Sequence, residues 1–228
     1  MKMKKWIMLG VIILTFGLTI PASAWIYVGP LGDTGWKTFE YRFELDFKGY
    51  AGFVVSNQGD ELVESWLLID NLNYGNDPSF ESGGYNGYYS LIGSSVGEVV
   101  TGPVIAPSTN EYIPTQGDYM SYQISYYEDT SMFKNAFGQS GTTGSILETD
   151  LIEFKAQTPL TFNWAFITWE SPPDFLLDFA LFYLKNENGE IVDTRGLAQV
   201  VPIPTTLLLL GSGLLGLVGI KLRKRVKM

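Results

Sequence analysis

The sequence predicts an all-β chain, an antiparallel two-sheet sandwich set between two membrane-directed ends. Three observations carry that expectation. Residues 39–48 alternate apolar and charged without a miss, the pattern of a strand with one dry and one wet face. Turn residues recur between short apolar stretches from residue 49 to residue 194, the spacing of a sandwich. Between residues 25 and 200 no segment sustains a long 3.6-residue apolar period, 131–137 coming nearest, so helices are few.

The elements follow in order. Lys2, Lys4 and Lys5 precede an apolar run over residues 6–20 and then Pro21-Ala22-Ser23-Ala24. A charged start, apolar centre and small-x-small exit predict a secretory signal peptide over residues 1–24, with Ala22 and Ala24 as the cleavage residues and Trp25 as the first mature residue. Residues 39–48 are expected as one strand with Phe39, Tyr41, Phe43, Leu45 and Phe47 inward, and Gly49 as a turn into a strand over 50–56. Ser65–Asp70 reads as the next strand, closed by a polar turn over 71–78. A glycine-, serine- and tyrosine-rich surface loop over 81–87 leads to short strands near 88–92 and 98–100. Residues 120–127 alternate again, Met120, Tyr122, Ile124 and Tyr126 sharing a face. After a loop over 138–145 come strands at 147–156, 160–169 and 177–185, and Asn188-Gly189 turns a hairpin into 190–194. Trp66 and Trp164, inside strands, are expected core residues. Residues 25–198 are long enough for one domain with its own core.

Residues 199–228 hold Val201-Pro202-Ile203-Pro204, an uncharged apolar run over 205–220, and the cations Lys221, Arg223, Lys224, Arg225 and Lys227. The run is short beside the roughly 20 residues that span a bilayer, yet 200–222 suffices for a transmembrane helix in a slightly thinned membrane. The cations place the tail's end in the cytoplasm and everything before Val201 outside. Both ends agree on that topology.

All 24 acidic residues lie between residues 25 and 200, against seven of the 15 basic ones. So acidic a domain repels phosphate backbones and excludes nucleic-acid binding. Divalent cations and neutral glycans suit it better, as does plain repulsion between secreted copies. The sequence has no cysteine and no histidine. Stability therefore owes nothing to disulfides, and serine-histidine chemistry and histidine zinc sites are excluded.

The tail V-P-I-P-T-T-L-L-L-L-G-S-G-L-L-G-L-V-G-I-K-L-R-K-R resembles the PEP-CTERM sorting signal of Gram-negative bacteria, with Ile203 where the naming glutamate stands. That resemblance implies an exosortase, a membrane cysteine peptidase, as a partner, and export to the periplasmic face, cell surface or extracellular (biofilm) matrix. Three stretches further resemble a jelly-roll-like extracellular domain that recurs in such proteins. They are Pro114-Thr115-Gln116-Gly117-Asp118-Tyr119-Met120, then Leu160-Thr161-Phe162-Asn163-Trp164-Ala165-Phe166-Ile167-Thr168-Trp169-Glu170, then Asp178-Phe179-Ala180-Leu181-Phe182. No enzymatic activity comes with that resemblance.

Two local candidates remain. Glu170 ends one expected strand and Asp178 begins the next, so a hairpin brings the carboxylates together. They then share a calcium ion, or they cap loop amides with the help of Thr168; a glycosidase pair is the third reading. Tyr74, Tyr85, Tyr88 and Tyr89 either expose flat faces for sugar stacking or pack over the sheet edges with only the hydroxyl wet. The expected function is a surface-anchored structural or adhesive protein of the extracellular polysaccharide matrix. A calcium-dependent carbohydrate-binding module is the alternative and a glycoside-acting enzyme the third.

Overall fold

The long strands read as continuous apolar runs, and the architecture explains why. The structure is a computed structural model that describes residues 25–59, 63–171 and 177–201. The expected signal peptide with Ala22 and Ala24, and the tail from Pro202 through Ile203 and Pro204 to the basic end, lie outside the described residues. The first strands are β1 (Ile26–Val28), β2 (Lys37–Tyr41), β3 (Phe47–Ser56), β4 (Ser65–Asp70), β5 (Tyr89–Leu91), β6 (Val96–Val100), β7 (Val104–Ile105) and β8 (Glu111–Tyr112). There follow β9 (Met120–Ile124), β10 (Glu128–Asp129), β11 (Thr143–Thr149), β12 (Ile152–Phe154), β13 (Leu160–Thr168), β14 (Phe179–Asn186) and β15 (Ile191–Val200). A 3-10 turn, Pro78–Phe80, is the one helical element among the described residues.

An eight-stranded sheet runs β1-β15-β14-β3-β11-β10, with β12 added to β3 and β5 to β11; a five-stranded sheet runs β2-β13-β4-β9-β6. Ladders between named strands are antiparallel except β1 with β15. The sheets pack face to face. Phe53 of β3 meets Phe162 of β13 edge-on, centroids 5.0 Å apart, and Phe39 of β2 stacks on Phe162 at 4.8 Å while reaching Phe182 of β14 at 5.1 Å. Leu67, Ile69, Phe166, Ala180 and Leu184 complete this shared core, each large side chain contributing about 1.5–3 kcal/mol on burial. This is an all-β arrangement consistent with a β-sandwich.

The outer faces are covered too. Leu68, Ala165, Ile167 and Met120 of the five-stranded sheet pack against Ala106 and Tyr112 from the β7–β8 ribbon. On the other sheet Val54, Ile146, Leu181 and Tyr183 pack under Phe133. A strand dry on both sides has no wet face to alternate, hence the runs Ala51 to Val55 and Phe179 to Leu184.

Several expected elements are corrected. Residues 39–48 are not one strand: β2 ends at Tyr41, residues 42–46 cross from one sheet to the other, and β3 starts at Phe47. The alternation persists because a chain that rounds the sandwich edge keeps the same side toward the core. Phe43 is buried at 8% exposure, but Leu45 escapes at 80%. Gly49 is no turn. It lies inside β3, where a Cβ would come within 2.1 Å of the Lys185 carbonyl oxygen. Residues 131–137 are irregular rather than helical, and the expected strand 147–156 breaks between β11 and β12. In β9, Met120 packs on the outer cluster, while Ser121 on the opposite face meets the inward Tyr85 hydroxyl at 3.1 Å.

Candidate functional site

Glu170 and Asp178 are both buried, at 1% and 0% exposure. They do not face each other across a hairpin, because β13 belongs to the five-stranded sheet and β14 to the eight-stranded one. The connection is a crossover between layers, which sequence spacing alone cannot distinguish from a hairpin. Asp178 binds across that gap. Its carboxylate accepts the Gln58 N–H at 3.1 Å and the Ser65 hydroxyl at 2.8 Å. Ser65 N–H donates to Ser125 Oγ at 2.8 Å, the Ser125 hydroxyl donates to Asn57 Oδ1, and Asn57 Nδ2 donates back to the Ser125 carbonyl at 2.8 Å. These bonds tie the start of β14 and the end of β3 to the start of β4 and the end of β9. Of the three readings of the pair, capping is the one whose contacts are seen at Asp178. At Glu170 the backbone N–H donates to Thr168 Oγ1 at 3.0 Å and the carbonyl accepts Leu31 N–H at 2.8 Å. Among the described residues no group of three or more acidic, histidine or cysteine side chains converges as metal ligands would.

The four tyrosines do not form a common platform. Tyr89 is 4% exposed, its hydroxyl donating to the Asp77 carbonyl at 2.9 Å and its ring 4.4 Å from Phe80. Tyr85 turns inward beside the Phe80 and Tyr89 rings, and burial pushes its phenol up to about 12, Ser121 opposing that rise and Glu98 adding to it. Tyr74 packs its ring 5.1 Å from Phe154 and donates to the Thr158 carbonyl at 2.8 Å. Tyr88 alone of the four is exposed, at 36%. The 3-10 turn places Phe80 beneath the loop, and the rings close over it because that buries apolar area glycine-rich backbone cannot cover.

A groove that the sequence did not announce lies along the open side of the sandwich. It has a volume of about 1040 Å³ and runs between β2 with residues 42–47 and residues 195–197 of β15. Phe39, Tyr41 and Phe47 are half-buried in its lining, which the buried Trp164 also touches. The Tyr41 hydroxyl donates to Asp193 at 2.7 Å, the Arg195 guanidinium pairs with Asp193 at 2.9 Å and lies 5.6 Å over the Tyr41 ring. Burial, and then the Asp193 carboxylate, raise the Tyr41 phenol above its ordinary value. Arg42 pairs with Glu40 at 2.6 Å, an exposed contact worth little to stability.

Elsewhere, acidic side chains tie loops. Asp70 accepts Thr115 Oγ1 at 2.7 Å and Gln116 N–H at 3.0 Å, and Asn163 bridges Thr115 and Thr38 at 2.8 and 2.9 Å. Glu148 pairs with Lys185 and accepts the Tyr183 hydroxyl, and Lys185 sits 4.6 Å over Tyr50. These contacts use carboxylates as loop and strand anchors.

Compared with known proteins, the chain matches no family model, no curated protein and no solved structure.

Proposed function

We propose that this chain is an exported, surface-anchored structural or adhesive protein of an extracellular polysaccharide matrix, held in the inner membrane facing the periplasm until an exosortase acts on its tail. The tail carries the reading: Val201-Pro202-Ile203-Pro204, an uncharged run, then five cations. The way the domain's two ends meet supports it. β1 starts two residues after Ala24 and lies parallel to the end of β15, Ile26 opposite Ala198 and Val28 opposite Val200. Val201 N–H donates to the Val28 carbonyl at 2.9 Å, so strand bonding runs up to the first residue of the sorting motif. Trp25, the expected mature N-terminus, packs edge-on against Phe179 at 6.3 Å. The domain thus fills the interval between the two expected processing sites. We read the sandwich as jelly-roll-like, because β1 to β4 alternate between the sheets and later strands repeat the crossing.

Intact-mass analysis in cells with and without an exosortase tests the proposal. A product that begins at Trp25 and lacks the apolar run is expected only where the peptidase is present, and Ala24→Arg is expected to leave the signal peptide attached. If every mature copy retains Met228, a plain tail anchor stands and sorting is rejected.

A further inference from the structure

We infer that the groove between β2 and β15 is a binding site for an uncharged, hydroxyl-rich glycan chain. Its volume of about 1040 Å³ stands at the upper end of ligand cavities, which run to roughly 1,000 Å³. Its lining includes three half-buried aromatics, Phe39, Tyr41 and Phe47, which pack one side on the core. Such rings offer flat apolar area against which the C–H faces of a sugar pack.

The charge of the lining selects the ligand. Between residues 25 and 200 acids outnumber bases 24 to seven, yet three of those seven cations, Lys37, Arg42 and Arg195, converge here beside Glu40, Glu44 and Asp46. The groove is therefore locally balanced within an acidic domain. A polyanion meets the repulsion of the whole surface, and a polycation finds three cations beside the three carboxylates, so it gains less here than elsewhere on the acidic domain. An uncharged chain of hydroxyls meets donors and acceptors of both signs, and charge-assisted hydrogen bonds are the stronger kind. An extended peptide added to the edge of β2 is disfavoured by Lys37, Glu40 and Arg42 on and beside that edge, since charged side chains blunt strand pairing. Leu45, 80% exposed beside the aromatics, adds an apolar lip that the core does not use. The Tyr41–Asp193–Arg195 cluster fixes one wall before any ligand arrives, which lowers the entropic cost of binding.

This site deepens the matrix reading and rests on it for the origin of the glycan, while the groove itself stands on its own geometry. The test is affinity electrophoresis of the full-length chain in detergent through gels containing dextran, a mixed-linkage β-glucan or galactomannan. Parallel gels carry alginate as a polyanion, and an extended-peptide library is screened beside them. Retardation by at least one uncharged polysaccharide is expected, unaffected by EDTA. Lys37→Ala, Arg42→Ala and Leu45→Ser combined are expected to weaken it roughly tenfold, the worth of one charge-assisted bond, with an unchanged melting temperature because all three side chains are exposed. If the triple variant melts early, Leu45→Ser alone decides: a loss of about threefold or more, as expected for lost apolar contact, supports the site and unchanged binding overturns it. Retardation by none of the uncharged polymers, or binding of alginate or peptide alone, also overturns it. Normal tail processing with no glycan binding rejects the groove and leaves the sorting proposal intact; glycan binding with Met228 retained does the reverse.

Discussion

Two aromatic regions of this molecule end on opposite sides of the boundary between core and solvent. The loop around residues 81–89 carries tyrosines among glycines, a composition that fits either an exposed platform or rings packed over the sheet edges, and there Tyr85 turns inward and Tyr89 is buried against Phe80. Residues 39–48 alternate like a core strand, yet the chain leaves the sheet at residue 42 and Phe39, Tyr41 and Phe47 line an open groove. Glycine-rich backbone lets a loop fold its rings down onto whatever apolar surface lies beneath. An edge strand that must cross between layers cannot close the sandwich behind it.

The sharpest way to break that contrast is within the crossing itself. Phe43→Asp is expected to cost at least about 4 kcal/mol, combining a lost aromatic with a buried charge, whereas Leu45→Asp is expected to change stability by less than about 0.5 kcal/mol. Urea unfolding measures both, and equal costs would mean that residues 39–48 form the single strand after all. In the loop, Tyr89→Ala is expected to cost about 3 kcal/mol and Tyr88→Ala less than about 0.5 kcal/mol. Near-equal melting temperatures for those two variants would restore the exposed platform.

The polar end of the sandwich offers a reference free of aromatics. Asp178→Asn is expected to lose about 1.5–3 kcal/mol as its bonds to Ser65 and Gln58 cease to be charge-assisted, while EDTA leaves the wild-type melting temperature unchanged. A chelator-induced drop would move this pair to the calcium reading.

The smallest effect is a titration. Burial holds the Tyr85 phenol at about 12 in the folded chain, against the ordinary value of about 10. Below pH 10 both states keep the proton and the group is neutral to stability differences. Above it the unfolded chain ionises first, so stability falls as pH rises, by about 1.4 kcal/mol at pH 11 from this residue. Tyr85→Phe is expected to flatten that part of the pH–stability curve between 10 and 12, and an unchanged slope would show the phenol to be wet.

The strands were legible where hydrophobic runs are bounded by turns: Ser65–Asp70 appears as written, and β13 and β14 within one or two residues of their expected ends. Asn188-Gly189 does turn β14 into β15, with Gly189 at φ 85°. Glu170 and Asp178 stood out as candidate carboxylates, but the partners of Asp178 did not, because Ser65 and Gln58 lie over a hundred positions away in the chain. The groove was invisible for the same reason: Asp193 meets Tyr41 across 152 positions, and Arg195 lies over the same ring.

Local sequence therefore determined what depends on neighbours along the chain. Period-two patterning and turn residues set the all-β class, the missing histidine and cysteine set the excluded chemistries, and the charged and apolar ends set the expected export and anchoring. Tertiary structure alone decided which layer each strand joins and which aromatic is wet. Layer membership is fixed by cross-chain pairing and by burial on both faces of a sheet, and alternation reads the same whether a strand stays in its sheet or rounds the edge into the next.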